Sequence, residues 1–316
     1  MKELKTDLLI MGAGPGGMAA ALYARRSGLD FIIVEKKMAG GQIINTDLIE
    51  NYPGFMDNPS GYELAQKLAE HCKKFEIDIK EYFAIEKVEK TDHKVGNKKY
   101  IFKCTGNDTH IYTRALIVAT GAKPDRLDVK GETGLLGKGI SFCATCDGAL
   151  YRGMEVAVVG GGDTAIEEAL FLSNLAEKVY IIHRREELRA CDMLQCRARD
   201  NKKIEFLWSS VVDEFLGDEK LEAVIVKDKN NGTTRRLDVA AVFEYVGWQP
   251  NSEIVKDLVH TDEKGFIMTD MTMKTSEQAI FAVGDVRNTP FRQVITAVAD
   301  GAVAAMYVDK YFLELG

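Results

Sequence analysis

The strongest constraint on how this chain can fold is a pattern that it carries twice. Thr6 to Met11 is a short apolar run that stops at Gly12-Ala13-Gly14-Pro15-Gly16-Gly17; Met18 to Arg26 then reads as a helix, and Phe31 to Val34 as a second apolar run closed by Glu35. In the middle of the chain the same order returns: Val156 to Val159, the turn Gly160-Gly161-Gly162-Asp163-Thr164-Ala165, a helix over Ile166 to Leu175, and the run Val179 to Ile182 closed by His183-Arg184-Arg185. Twenty-three residues separate Gly12 from Glu35, and twenty-three separate Gly160 from His183. Strand, glycine turn, helix and strand at fixed spacing is the βαβ unit of a nucleotide-binding parallel sheet. Two copies in 316 residues predict an α/β chain of two doubly wound, Rossmann-like domains.

Each glycine has a physical task. Gly12 turns tightly, Gly14 admits a pyrophosphate to the backbone, and Gly17 lets helix and strand approach, so that a dinucleotide rests on the helix N-terminus. The competing reading is a mere tight turn. The two copies differ in sign where the second strand ends. An acid such as Glu35 pairs with a free ribose 2′-hydroxyl and repels a 2′-phosphate, whereas the guanidinium groups of Arg184 and Arg185, with Arg189 further on, suit a 2′-phosphate. The first site is thus expected to take FAD and the second, through Gly160, Gly162, Asp163, Thr164, Ala165 and His183 to Arg189, to take NADPH. A solvated basic helix start is the competing reading of the second cluster.

Between and after the repeats, Ala115 to Ala122 and Val242 to Gly247 are apolar segments running into glycines, and read as crossovers between domains. The expected division is 1–117 with 247–316 for the first domain and 118–246 for an inserted second one. Ala279 to Val283 is a buried-type strand stopping at Gly284-Asp285, followed by Arg292-Gln293 and an alanine-rich helix from Val294 to about Tyr307. Lys87 to Lys103 alternates polar and apolar residues and reads as a solvated hairpin.

The inserted segment carries Cys143-Ala144-Thr145-Cys146-Asp147. Two thiols at that spacing can close a disulfide and pass two electrons by exchange, with Asp147 placed to handle protons. The same motif can also be half of a zinc site or two buried thiols; Cys72, Cys104, Cys191 and Cys196 do not repeat the spacing. A net charge of −7 argues against general nucleic-acid binding, and no apolar run approaches membrane-spanning length. Few cysteines and no signal-peptide run at the start lead us to expect a cytoplasmic protein.

Two dinucleotide turns of opposite charge preference with a Cys-x-x-Cys between them resemble the low-molecular-weight, bacterial-type thioredoxin reductases over nearly the whole chain. The resemblance implies FAD-binding positions at Gly12, Gly14, Pro15, Gly17, Glu35, Gly41, Gln42, Asn51, Ala119, Thr120, Gly121, Gly284, Asp285, Arg292 and Gln293, and NADPH positions at the second turn and basic cluster. It also implies a path from NADPH through FAD to the Cys143–Cys146 disulfide and on to thioredoxin or a thioredoxin-like protein. In it Cys146 is the flavin-side thiol, Cys143 attacks the partner disulfide, and Asp147 manages protons. A homodimer, and rotation of one domain about crossovers at Gly121 and Gly247, belong to the same implication. Relatives that draw on ferredoxin lack the intact second fingerprint seen here. Two further readings are NADH as the donor and a flavin redox sensor without turnover. Glu244 departs from the family, whose strand is usually apolar there, and is expected to face solvent. Cys191 and Cys196 lie outside the motif and are expected to pack as small residues.

Overall fold

The computed structural model describes every residue except Asp47, Leu48, Glu50, Asn58, Asn97, Leu315 and Gly316, and only the backbone of Asn45. Strand β1 (Lys2–Met11) runs into the first glycine turn, helix α1 (Pro15–Arg26) leaves it, and β2 (Phe31–Val34) returns parallel to β1 with Leu8 opposite Phe31 and Met11 opposite Val34. A helix over Gly61–Lys74 follows, its first turn closed by reciprocal Ser60 and Glu63 hydrogen bonds. The lysine-rich stretch forms antiparallel arms, Lys87–Lys90 against Phe102–Gly106, with a small hairpin of Lys94–Val95 and Lys98–Lys99 between them. Strand β3 (Thr109–Val118) then lies parallel to β1 along its whole length.

The chain next enters the inserted unit. A short helix α2 (Ala144–Asp147) carries the dithiol; β4 (Glu155–Val159), α3 (Asp163–Ser173) and β5 (Lys178–Ile182) make the second βαβ unit, and β6 (Ala241–Glu244) pairs on the other side of β4. With Ile140–Ser141 and Ile204–Leu207 at its edges, this five-stranded sheet is parallel throughout. Three antiparallel strands, Ser210–Leu216, Ala223–Asp228 and Thr234–Leu237, form a separate small sheet. Back in the first unit, β7 (Ile280–Ala282) pairs with the far edge of β3, Ile280 opposite Leu116, and α4 (Val294–Glu314) ends the described chain.

The parallel strands at the centre of each unit's main sheet are buried on both faces, which is why they read as near-continuous apolar runs. Successive side chains alternate between faces. Leu8, Ile10, Ala115 and Ile117 enter one cluster with residues of α1 and α4, while Leu9, Met11, Leu116 and Val118 enter another. In the inserted unit Val156, Val158, Val179 and Ile181 belong to one cluster, and Ala157, Val159, Tyr180 and Ile182 to the next. Helix α4 continues past the expected Tyr307 because Tyr311 and Phe312 still pack on the core. Its Gly301 lets α1 come close: a Cβ there would stand 2.1 Å from Gly16 O.

The compact units are 1–46, 59–123 and 249–316 on one side and 47–58 and 124–248 on the other. The units meet along the chain at 46/47, 58/59, 123/124 and 248/249, where the sequence leads to an expected division at 117/118 and 246/247. Local bonding explains the shift: Val118 still pairs with Met11 and Ala282, the Ala119 amide donates to Met11 O (2.8 Å), and Thr120 and Asn251 bind each other through Thr120 Oγ1 to Asn251 O (2.7 Å) and Asn251 Nδ2 to Thr120 O (2.8 Å). The crossover segments Ala122–Pro124 and Trp248–Pro250 pair with each other. Gly121 (φ +67°) and Gly247 (φ +148°) adjoin them in conformations that side-chain-bearing residues rarely adopt.

Candidate active site

The first glycine turn keeps its space open toward a ligand and closed toward the protein. Helix α1 starts at Gly14 with no capping side chain, so side chains leave its first-turn amides unclaimed. A Cβ on Gly14 would meet only Gly41 Cα, at 3.8 Å; on Gly12 it would lie 2.3 Å from Ala119 O, and on Gly17 1.9 Å from Gly12 O. Glu35 is fixed against the turn: Oε2 accepts the Ala13 amide (2.8 Å) and Oε1 the Lys37 amide (3.0 Å). The Gly40 amide donates to Ala13 O (2.8 Å), which brings Gly41 and Gln42 alongside.

The stretch before α4 joins the same unit. Asp300 holds Gly284 in place, accepting its amide at Oδ2 (3.0 Å) while pairing with Arg287 (Nε to Oδ2, 2.7 Å). Burial pushes the Asp285 carboxyl up to about 6, the Arg292 guanidinium opposing and Asp300 adding to the rise. Arg292 lies 4.2 Å over the Phe266 ring, and its buried Nε has no partner among the described residues. Gln293 donates its amide to Thr296 Oγ1 (3.2 Å). Asn51 belongs to the other compact unit. Asp300 and Asn251 had no sequence signal of their own, being met only through long-range hydrogen bonds.

At the second turn Gly162 opens α3 without a side-chain cap, and a Cβ on it would touch nothing within 4 Å. Gly160 (φ +154°) packs on the Ala165 side chain, 2.7 Å from an added Cβ. Asp163 Oδ1 accepts the Cys191 amide (2.7 Å), and Thr164 is exposed. The amides of Arg189 (2.7 Å) and Ala190 (3.1 Å) donate to Gly161 O, so the basic loop is tied to the turn. Arg184, Arg185 and Arg189 are exposed. His183 is not: it is 4% exposed, its ring lies where a Cβ on Gly161 would be (2.2 Å), and Nε2 bonds Glu187 O (3.0 Å). Burial lowers its pKa, the Glu187 and Gly160 backbones opposing and Arg189 and Arg185 assisting.

The dithiol is closed as a disulfide with Cα atoms 5.3 Å apart. Cys143 caps α2, its Sγ accepting the Cys146 amide (3.2 Å) and lying 3.3 Å from Thr145 Oγ1. Ser141 organises the loop: its hydroxyl donates to Asp147 Oδ2 (2.6 Å), and its oxygen accepts the Cys143 amide (3.0 Å). Tyr245 OH accepts the Ala144 amide (2.6 Å). Elsewhere, burial pushes the Cys72 thiol up to about 11 and Cys104 up to about 12, which leaves both protonated and unreactive at neutral pH. Cys191 and Cys196 are free and exposed, not packed: Cys191 precedes the helix Asp192–Asp200, whose buried residues are Leu194 and Ala198. Glu244 reverses the expectation of a solvent-facing side chain, being 2% exposed.

The sequence profile of the pyridine nucleotide-disulphide oxidoreductase family matches residues 6–301. Thioredoxin reductase of Bacillus subtilis is 42% identical over 315 residues, covering 98% of this chain and 95% of that one. The chain belongs to the thioredoxin reductase family. Within it, thioredoxin reductase of Listeria innocua is 42% identical over 310 residues, covering 98% and 94% of the two chains. The crystal structure of thioredoxin reductase from Streptococcus pyogenes superposes with a TM-score of 0.90 at 44% identity, over 98% of this chain and 99% of that one. That family is one of flavoprotein disulfide oxidoreductases that use FAD and NADPH. Among the described residues no helix is long and apolar enough to cross a membrane.

Proposed function

We propose that this enzyme carries electrons from NADPH through FAD and the Cys143–Cys146 disulfide to thioredoxin or a thioredoxin-like protein. The observation that carries the reading is the closed Cys143–Cys146 pair beside Asp147, in the same compact unit as the glycine turn with the basic loop. The discontinuous unit is the FAD-binding domain and the inserted unit the NADPH-binding domain.

The residues present fit both cofactors. At the first turn, the uncapped start of α1 and the open face of Gly14 suit a pyrophosphate, and the unpartnered buried Arg292 Nε suits an acceptor on the flavin side. Glu35 stands where a ribose hydroxyl would bind; Pro15, Gly41, Gln42, Ala119, Thr120, Gly121, Gly284, Asp285 and Gln293 complete the wall. At the second turn Gly160, Gly162 and Ala165 admit the backbone of NADPH, Asp163 holds the loop, and Arg184, Arg185 and Arg189 take the 2′-phosphate. His183 supports that loop from beneath. Bound FAD supplies the two-electron exchange between a nicotinamide hydride and a disulfide.

The chain's own residues do the rest. In the reduced enzyme the Cys143 thiolate attacks the partner's disulfide, giving a mixed disulfide and releasing one partner thiol. Cys146 then attacks Cys143 Sγ, re-forming the enzyme disulfide and releasing the second. Asp147, held by Ser141, supplies and takes up the protons of these exchanges. The enzyme works in the cytoplasm, as a homodimer. The test is to add NADPH or NADH anaerobically to the purified yellow protein and then add thioredoxin. NADPH should bleach the flavin, and thioredoxin should restore its colour while gaining two thiols. Loss of colour with NADH but not NADPH, or thioredoxin left oxidised, would contradict the reading.

A further inference from the structure

Tyr245 lies a hundred residues beyond the dithiol in sequence, yet it touches the residue between the two halves of the motif. Its hydroxyl oxygen accepts the Ala144 amide at 2.6 Å, and Ala144 is the first residue of α2, directly after the cap Cys143. The Glu168 carboxyl on α3 interacts with the Tyr245 hydroxyl. Glu168 Oε2 is buried and has no partner among the described residues. Burial pushes the Glu168 carboxyl up to about 7, neighbouring Glu167 adding to the rise and the Tyr245 bond opposing it. Burial, with Glu168 and Asp147 nearby, holds Tyr245 well above the usual phenol range, so it stays a neutral hydroxyl.

We propose that Tyr245, oriented by Glu168, is a positioning residue that clamps the start of α2 and so sets the dithiol–disulfide equilibrium of Cys143 and Cys146. The proposal rests on the assignment of these two cysteines as the redox pair. A disulfide forms only while the two sulfurs stay within bonding reach, so whatever restrains the backbone between them raises the effective concentration of each thiol at the other. The Cys143 amide is held by Ser141 and the Ala144 amide by Tyr245, and the second of these anchors comes from a distant strand end. Releasing it lets Cys143 move away from Cys146 once the bond opens, which favours the dithiol.

The test uses the intact holoenzyme as wild type, Tyr245→Phe, Glu168→Ala and Glu168→Gln. Each is equilibrated with mixtures of reduced and oxidised dithiothreitol, quenched by alkylation, and read by mass at the peptide holding Cys143 and Cys146, which separates it from Cys191 and Cys196. Each reduction takes two electrons and two protons from one dithiothreitol, which closes to its cyclic disulfide, and leaves two protein thiols. Tyr245→Phe should shift the equilibrium three- to tenfold toward the dithiol, about 15 to 30 mV less negative in potential. Glu168→Ala should shift it the same way, and Glu168→Gln, which can still bond the hydroxyl, should return it toward wild type. An unchanged potential in both Tyr245→Phe and Glu168→Ala overturns the clamp, even if either melts at a lower temperature. Wild type that leaves thioredoxin oxidised in the presence of NADPH would instead overturn the functional reading, a separate result.

Discussion

Glu244 ends β6 with neither carboxyl oxygen partnered among the described residues. The expectation of a solvent-facing side chain fails because β6 is an interior strand of a sheet covered on both faces: Val242 packs in one cluster and Phe243 in the other, so alternation offers no wet side. Nothing in the residues around Glu244 announces this, since the buried carboxyl beside it is Glu132, more than a hundred positions earlier. Burial pushes Glu244 up to about 8 from an ordinary value of 4.5, Glu132 adding repulsion and Arg126 opposing. Below 4.5 the group is protonated in both states. Between 4.5 and 8 the unfolded chain releases a proton that the folded chain keeps, so stability falls as pH rises, and the loss levels off above 8. Glu244→Gln, whose amide can donate to the unpartnered Glu132 Oε1, removes this loss. We expect the variant to recover about 2 kcal/mol at pH of about 8.5, or roughly 4 to 8 °C in melting temperature, and almost nothing at pH of about 5. Equal melting differences at both pH values would show that Glu244 is not held protonated.

At the scale of elements, the two βαβ turns were legible because local backbone needs fix their residues. The contrast between glycines makes that testable. Gly14→Glu leaves room for the new Cβ but puts a carboxylate where a pyrophosphate would lie, so the protein should fold and purify colourless. Gly17→Ala forces a Cβ to 1.9 Å from Gly12 O and should lower the melting temperature as well as flavin content. Circular dichroism and flavin absorbance separate the two; a yellow Gly14→Glu protein would contradict the assignment of the turn. The register of the second copy was also legible, but not the inward turn of His183, which depends on the missing side chain of Gly161. Arg184 and Arg185 are proposed to carry the cofactor choice. Each charge-assisted hydrogen bond contributes about 1.5 to 3 kcal/mol, so replacing both with Ala should reduce NADPH selectivity over NADH by roughly two to four powers of ten. Steady-state kinetics with both nucleotides checks this, and an unchanged ratio would make the cluster a solvated face.

At the scale of the whole molecule, one strand and its later counterpart lead to the expected division of the chain, but no local signal fixes the crossover positions. They depend on hydrogen bonds such as Thr120 to Asn251 that join residues far apart in sequence. Each unit has its own two buried clusters around its own main sheet. Residues 124–248 expressed alone should therefore fold and melt cooperatively; a broad, noncooperative melt would show that the inserted unit depends on the rest of the chain.

In the proposed reaction, electrons reach the partner protein through Cys143 after reaching the flavin. The most direct measurement is NADPH-driven reduction of thioredoxin by wild type and Cys143→Ser, with flavin absorbance recorded in the same anaerobic mixture. NADPH should bleach the flavin in both proteins, wild type should go on to reduce thioredoxin, and the variant should leave it oxidised at the background rate. Thioredoxin reduction by Cys143→Ser at the wild-type rate, or a wild-type flavin that NADPH reduces without any thioredoxin following, would contradict it.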